Sequence, residues 1–155
     1  MSDTDAAPAR LVVLTTGGTI ACTSDRQGHL LPTLDGESLV RPIADRFPAG
    51  SVEVEVREIA HVDSASMTLA EVDERNAVIH EILADPGIDG VVVAHGTDSM
   101  EETAMAVDVF HDDHRPVVFT GAQKPSDHPE ADGPNNLFEA MVVAMDASAR
   151  GIGVL

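Results

Sequence analysis

Residues 88–103 have the sequence IDGVVVAHGTDSMEET, and this stretch decides the fold. Its Val91–Val93 run is apolar and β-branched, which predicts a strand that is buried on both faces. Gly96 follows almost at once, and Asp98 or Ser99 can cap a helix directly after it. A buried strand that ends in a glycine turn and leads into a helix is typical of a parallel sheet covered by helices.

The same pattern extends to both sides of this stretch. Strands are predicted at 11–14, 51–59, 88–94 and 116–120, with one more beginning at 151, and helices at 36–46, 68–84, 100–110 and 134–149. This alternation predicts an α/β fold, a doubly wound, mostly parallel sheet with helices on both faces, in a Rossmann-like or flavodoxin-like three-layer domain. Right-handed crossovers would then bring the carboxyl ends of all strands to one edge.

The remaining segments are predicted to be irregular. Residues 1–9 are expected to form a flexible N-terminal tail, and residues 10–155 one α/β domain. Polar stretches with glycine and proline at 21–35 and 121–133 predict loops, the first of them mobile.

Composition excludes several classes of partner. The chain has 155 residues, of which 43% are hydrophobic, so a packed core is expected. Nine Lys and Arg residues face 27 Asp and Glu residues, and the resulting charge of −18 argues against nucleic acid and against anionic membrane. One cysteine, Cys22, excludes an internal disulfide. With no secretory signal at the N-terminus and no apolar run near the ~20 residues of a membrane span, we expect a cytoplasmic setting.

Polar clusters follow each predicted strand, where a parallel sheet places its ligands. Hydroxyls and carboxylates at every strand end are what a site for a small polar substrate requires. The clusters are Thr15–Ile20, Asp63–Met67, His95–Thr103, and Thr120–Pro125 with Ala131–Pro134.

Two of these clusters carry candidate catalytic groups. Thr19 follows two glycines, so its hydroxyl can be presented to a substrate as a nucleophile, or it can simply satisfy backbone groups in a turn. Thr97 and Asp98 stand at the start of a helix, whose free N–H groups can stabilise an oxyanion, although Asp98 can equally be a plain N-cap.

The histidines are weaker candidates. His95 can be a general base, but a hydrogen-bonded structural role is the more common one for a histidine at a strand end. His111 and His114, with Asp112 and Asp113 between them, resemble a metal cluster on paper. A solvated loop is the expected interpretation, so no metal site is predicted there.

Together the clusters resemble the bacterial-type L-asparaginase family, also called asparaginase/glutaminase. The string at His95–Thr103 is long and specific, and the resemblance extends from about Leu11 to Leu155. The matching strings are Thr16–Ile20 (TGGTI), Asp63–Met67 (DSASM), His95–Thr103 (HGTDSMEET), Thr120–Ala122 (TGA) and Ala131–Pro134 (ADGP).

The resemblance implies hydrolysis of the side-chain amide of L-asparagine to L-aspartate and ammonia, without metal or cofactor. It implies that Thr19 is the nucleophile and that Thr97 pairs with Asp98, with a lysine further along the chain completing the pair. Ser64 is implied to hold the substrate α-carboxylate. Asp98 would also hold the α-amino group, and Ala122 would offer its backbone carbonyl to the amide.

Gly18, Ala65 and Gly96 complete the predicted substrate-binding set. Since family sites are completed by a neighbouring subunit, the resemblance further implies a homodimer or homotetramer.

Three departures from the family pattern bear on these roles. The chain has no tyrosine, whereas the family commonly places one in a flap beside the nucleophile; His29 is the predicted replacement as a proton carrier. Ala65 stands where many members carry a polar side chain for the α-amino group. The chain ends at Leu155, before the family's lysine and its small C-terminal domain, and Lys124, the only lysine, lies in a different motif.

The sequence therefore predicts an L-asparaginase, an amidohydrolase acting through a threonine acyl-enzyme. It leaves the preference for L-asparagine over L-glutamine open. The alternative is a catalytically incomplete homologue that binds an amino acid or serves in assembly. A third interpretation, an amidase-like subunit of a complex that acts on charged tRNA, is disfavoured by the negative charge.

Overall fold

The computed structural model describes residues 7–60 and 63–155. Within these residues the main elements are six strands and four helices, joined by short 3₁₀ turns. In chain order they are β1 (Ala9–Thr15), β2 (Cys22–Ser24), β3 (Leu30–Pro32), α1 (Gly36–Ala44), β4 (Val52–Glu58), α2 (Leu69–Leu83), β5 (Gly90–Ala94), α3 (Met100–Phe110), β6 (Val117–Thr120) and α4 (Gly133–Met145).

The central sheet has four parallel strands in the order β4-β1-β5-β6. After β1 the chain goes to one side of the sheet to form β4, and it then returns past β1 to form β5 on the other side. The carboxyl ends of β1 and β5 therefore flank a topological switch point, which is where open α/β sheets bind ligands. The register pairs Thr15 at the end of β1 with Ala94 at the end of β5, so both strands finish at the same level.

Each face of the sheet has its own apolar core, because successive residues of a strand point to opposite faces. Leu11 and Val13 of β1 pack with helices α1 and α4, whereas Val12 and Leu14 pack with α2 and α3. All four side chains are at most 1% exposed. The predicted three-layer α/β fold is confirmed.

Local sequence rules account for most element boundaries. The Thr68 side chain accepts a hydrogen bond from the Glu71 N–H and the Glu71 carboxylate accepts one from the Thr68 N–H, so α2 begins with a capping box. Strand β4 alternates exposed Glu with half-buried Val because it lies at the sheet edge. The predicted tail at 1–9 lies largely outside the described residues, and β1 begins at its last position, Ala9.

The stretch 21–35 differs from its prediction as an irregular loop. Strands β2 and β3 form an antiparallel hairpin in which Cys22 pairs with Pro32. Its turn is closed by Asp25, whose carboxylate accepts from the N–H groups of Gln27 and His29, and by Gly28 at φ +86°. Local side-chain hydrogen bonds and a glycine thus build the hairpin where the apolar pattern is weak.

The C-terminal segment also differs from its prediction. Helix α4 ends at Met145 and is followed by a separate 3₁₀ turn, so the predicted helix over 134–149 is too long. The predicted last strand is reduced to a single parallel bridge between Val154 and Val117 of β6.

This bridge places the chain end beyond β6, and α4 shares its face of the sheet with α1. The α1 crossover runs from β1 toward the β4 edge, whereas the α4 crossover runs from β6 toward the opposite edge on the same face, so the two have opposite hands. The α2 and α3 crossovers also run away from the β4 edge, but they lie on the other face. They therefore have the same hand as the α1 crossover. The expectation that every crossover is right-handed is wrong for one of the four.

Among the described residues, no helix has the length and apolar character needed to cross a membrane.

Candidate functional site at the switch point

The turn after β1 is built around two glycines with positive φ, Gly17 at 97° and Gly18 at 85°. Gly18 lies directly against Gly96, the glycine that follows β5. A Cβ added at residue 18 would approach the Gly96 Cα to 2.5 Å. The missing side chains therefore let the two turns touch, and this contact brings the segments that begin with Thr19 and Thr97 together.

A third segment joins them from the end of β4. Ser64 lies in a 3₁₀ turn and is only 3% exposed. Its hydroxyl donates to the Asp98 Oδ2 at 2.9 Å and accepts from the Asp98 N–H at 3.2 Å. The Ser99 hydroxyl donates to the Ser64 carbonyl at 2.8 Å, which fastens the same turn to the start of α3. Ser64 and Asp98 are therefore one hydrogen-bonded unit.

These segments surround a pocket of about 300 Å³ at the sheet edge. Among the residues that the structure describes, the lining contains two carboxylates and no basic side chain, so it suits a ligand that carries an ammonium group. It also contains the predicted nucleophile, Thr19, in a partly exposed position. The lining residues are Gly17, Gly18, Thr19, Cys22, Leu30, Pro32, Asp63, Ser64 and Asp98.

Backbone amides near this pocket remain available to a ligand. Within residues 7–60 and 63–155, the N–H groups of Gly18, Thr19 and Thr97 donate no hydrogen bond to protein. Three free donors on two touching turns form the kind of arrangement that stabilises an oxyanion.

The loop between β6 and α4 is held by Asp132. Its carboxylate accepts from the N–H groups of Gln123 and Lys124, both at 2.9 Å, and the Gln123 hydrogen bond contributes most to lowering the pKa of Asp132. The Asn136 amide donates to the Gly121 carbonyl at 2.9 Å. This network fixes the position of Ala122, which is 2% exposed.

Four of the predicted site residues line the pocket: Gly18, Thr19, Ser64 and Asp98. Gly96 lies beneath them, against Gly18 and the Ser64 side chain. Thr97, Ala65 and Ala122 belong to the segments around the pocket, but they do not contribute to its lining.

His29 and Lys124 point to other partners. The His29 ring is 74% exposed at the hairpin turn, where its Nδ1 lies 3.1 Å from the Asp25 carboxylate, and the ring does not line the pocket. The Lys124 Nζ donates to Glu130 at 2.8 Å. The hairpin instead presents Leu30 and Pro32 to the pocket, so its contribution to the wall is apolar.

The pocket also contains residues that were not predicted individually as site residues. Cys22, Leu30 and Pro32 come from the hairpin that was expected to be a loop, whereas Asp63, which caps the turn that holds Ser64, belongs to the predicted Asp63–Met67 cluster. Burial raises the pKa of the Cys22 thiol, which donates to the Gly18 carbonyl. A glycine three residues after Asp25 was the one local signal for the hairpin.

The remaining candidate residues do not line the pocket. His95 is fully buried and does not line the pocket. In the part of the chain that the structure describes, no group of three or more His, Cys, Asp or Glu residues is placed to hold a metal ion, and this includes the segment at 111–114.

Comparison with known proteins gives a consistent result. A family model described as "Asparaginase, N-terminal" matches residues 10–155. The chain is 37% identical over 145 residues to probable L-asparaginase 1 of Schizosaccharomyces pombe, a match that covers 92% of this chain and 40% of that protein. It is 40% identical over 144 residues to a subunit of the glutamyl-tRNA(Gln) amidotransferase of Haloquadratum walsbyi, covering 92% and 31%.

Solved structures agree in fold. The crystal structure of a probable cytoplasmic L-asparaginase from Campylobacter jejuni superposes with a TM-score of 0.81 at 34% identity, covering 94% of this chain and 43% of that one. The thermostable L-asparaginase from Thermococcus kodakarensis gives a TM-score of 0.77 at 29% identity, covering 91% and 42%. The chain thus spans about 40% of the length of the first curated relatives it matches.

Proposed function

Because the chain belongs to the asparaginase family, we propose that it is an amidohydrolase that converts L-asparagine to L-aspartate and ammonia through a threonine acyl-enzyme. In this proposal residues 10–155 serve as the family's N-terminal α/β domain, and Thr19 is the nucleophile. The observation that supports it most is the contact between Gly18 and Gly96, which brings the Thr19 turn beside the Thr97–Asp98 helix start.

The chemistry assigned to Thr19 is a two-step acyl transfer. The Thr19 Oγ attacks the side-chain amide carbon, and a tetrahedral intermediate forms whose oxyanion is held by the free N–H groups of Thr19 and Thr97. The carbon–nitrogen bond then breaks, and the Thr19 hydroxyl proton leaves with the nitrogen as ammonia. Water adds to the resulting ester, returns a hydrogen to Thr19 and releases L-aspartate.

The α-substituents of the substrate are assigned to the unit formed by Ser64 and Asp98. The Asp98 carboxylate would bind the α-ammonium. The Ser64 hydroxyl has a single hydrogen, so on substrate binding it would exchange its 2.9 Å hydrogen bond to Asp98 for one to the α-carboxylate. Asp63 adds a second negative charge to the lining. Ala65 offers no polar group for the α-ammonium, so the affinity for substrate would depend mainly on Asp98.

The test is ammonia and L-aspartate release from L-asparagine by the purified 155-residue protein and by Thr19→Ala. We expect the substitution to lower kcat by at least about 10³-fold, because it removes the nucleophile. Thr33→Ala is the matched control: Thr33 is an exposed residue directly after β3, its side chain bonds among the described residues only to the Thr23 hydroxyl, and it does not line the pocket. It should keep nearly the full rate.

Two results would contradict the proposal. Turnover by Thr19→Ala equal to that of the unmodified protein would remove Thr19 from the mechanism. Calorimetric binding of L-asparagine with no ammonia release would indicate the catalytically incomplete homologue instead.

A second candidate function is the amidase step of a tRNA-dependent amidotransferase. It is favoured by the 40% identity to the amidotransferase subunit of Haloquadratum walsbyi. With a charge of −18 this chain would need a partner to supply the RNA contacts. Ammonia release that appears only when an amidotransferase partner and charged tRNA are added would support this candidate over the first.

A further inference from the structure

The imidazole of His95 holds the carbonyl of the next residue. Its Nδ1 lies 2.7 Å from the Gly96 oxygen, and a carbonyl can only accept, so Nδ1 carries the hydrogen. The ring is completely buried and packs against Phe119, with 5.9 Å between the ring centroids. The hydrogen bond therefore lies in the interior, behind the turn that lies against Gly18.

This imidazole is a fixed neutral donor and not a proton carrier. Burial lowers its pKa, and the buried Arg75 guanidinium acts in the same direction. Within the described residues, Nε2 has no hydrogen-bond partner, so no chain of donors and acceptors leads from the ring to the pocket. What the ring can influence is the orientation of the Gly96 carbonyl.

That carbonyl belongs to the same peptide unit as the Thr97 N–H. The described peptide bonds are all trans, and in a trans unit the C=O and the N–H point in opposite directions. With the carbonyl held toward the buried imidazole, the N–H of Thr97 is directed away from the interior. Within residues 7–60 and 63–155 this N–H donates to no protein acceptor.

We propose that His95 is a positioning residue for the oxyanion site: its Nδ1–H fixes the Gly96–Thr97 peptide and so aims the free Thr97 N–H. The inference rests on the proposed function for its effect on catalysis. Its structural part, the tautomer of His95 and the orientation of one peptide, stands separately.

The kinetic test compares His95→Leu with His95→Asn. Leucine fills the space without a donor, whereas the asparagine amide can place an N–H near the position of Nδ1. We expect His95→Leu to lower kcat by about 10- to 100-fold with KM within about twofold. The reason is that an oxyanion donor stabilises the transition state more than the bound substrate, so its displacement affects mainly kcat. His95→Asn should recover most of the rate. Phe119→Leu, which disturbs the packing of the same ring but keeps its hydrogen bond, is the matched control and should stay near the rate of the unmodified protein.

The structural test is NMR of the unmodified protein, which needs neither turnover nor a folded His95→Leu. Long-range ¹H–¹⁵N spectra should show the Nδ1–H tautomer, and L-aspartate should shift the Thr97 amide resonance. An Nε2–H tautomer, or a folded His95→Leu with unchanged kcat, overturns the inference. Absence of any turnover or ligand response in the unmodified protein, with the Nδ1–H tautomer present, overturns the proposed function and leaves the placement of this peptide intact.

Discussion

A single missing Cβ decides whether the turns at Gly18 and Gly96 can meet. Gly18 and Gly28 have nearly the same φ, 85° and 86°, but their surroundings differ. A Cβ at residue 18 would meet the Gly96 Cα at 2.5 Å, whereas a Cβ at residue 28 would meet nothing within 4 Å. Gly18 also has a ψ of 177°, which together with its φ is a conformation nearly confined to glycine, so a side chain there would meet backbone strain as well as a steric clash.

Gly18→Ala should be far more damaging than Gly28→Ala. We expect Gly28→Ala to lower the free energy of unfolding by about 1–2 kcal/mol, the usual cost of a side chain in this conformation. Gly18→Ala should cost several kcal/mol more or abolish turnover, because it pushes the Thr19 turn away from Gly96. Urea unfolding and L-asparagine turnover measure both effects. Equal losses in the two variants would show that the glycine contact does not build the site.

Only part of this residue-scale arrangement could be predicted. A doubled glycine before Thr19 indicates a tight turn, so the turn itself was predictable. The hydrogen bond between Ser64 and Asp98 joins residues 34 positions apart, and no local pattern predicts it. The sequence therefore indicated both side chains as binding residues but not that they act as one unit.

At the scale of elements, Arg115 ties the segment before β6 to the end of α2. Its Nη1 donates to the carbonyls of Asp85 and Ile88 at 2.7 and 2.9 Å, and Nη2 also donates to the Leu83 carbonyl. The Asp113 carboxylate accepts from its Nε and Nη2 at 2.9 and 2.6 Å. Because Arg115 is only 7% exposed, its charge depends on this carboxylate for compensation.

The connection gives a pH-dependent stability. Hydrogen bonds from the Arg115 side chain hold the pKa of Asp113 well below its ordinary value of 3.8. A lowered folded-state pKa means that the contribution is complete above about pH 4 and is lost as the pH falls from there through the folded-state pKa. Asp113→Asn should therefore lower the free energy of unfolding by about 1–3 kcal/mol at pH 7, and the difference should shrink below pH 4.

The exposed neighbour Asp112 provides the control for this prediction. Asp112→Asn removes the same charge one position away and should change stability by no more than about 0.5 kcal/mol. Denaturant unfolding from pH 7 down to pH 3 measures all three proteins. A difference between Asp113→Asn and the unmodified protein that stays constant over this range would show that Asp113 does not act through its charge.

Helices and strands were predictable from the sequence where the local residues give one clear signal. The Val91–Val93 run and the capping box at Thr68 specified β5 and the start of α2 from local chemistry. The β2–β3 hairpin was not predictable in the same way, because its strands are three residues long and β3 is exposed at every position. The hand of the α4 crossover depends on which edge of the sheet the chain reaches after β6. Tertiary packing decides that choice, and local sequence does not.

At the scale of the whole molecule, charge is the dominant feature. Acidic side chains outnumber basic ones by 27 to 9, so most carboxylates have no basic side chain of this chain to balance them. Such a surface repels itself in the compact state, and the repulsion is long-ranged at low ionic strength. The Debye length falls from about 10 Å at 0.1 M salt to about 3 Å at 1 M, so salt should relieve most of it.

The thermal midpoint should accordingly rise with salt at neutral pH. We expect an increase on the order of 5 °C or more between about 0.1 M and 1 M KCl at pH 7, measured by differential scanning calorimetry. Near the sequence pI of about 4.4 the net charge vanishes, so the same addition should have much less effect. This comparison separates screening from salting-out, because exclusion of salt from apolar surface acts at both pH values. Equal responses at the two pH values would assign the stabilisation to salting-out, and the acidic surface would then carry no measurable electrostatic cost.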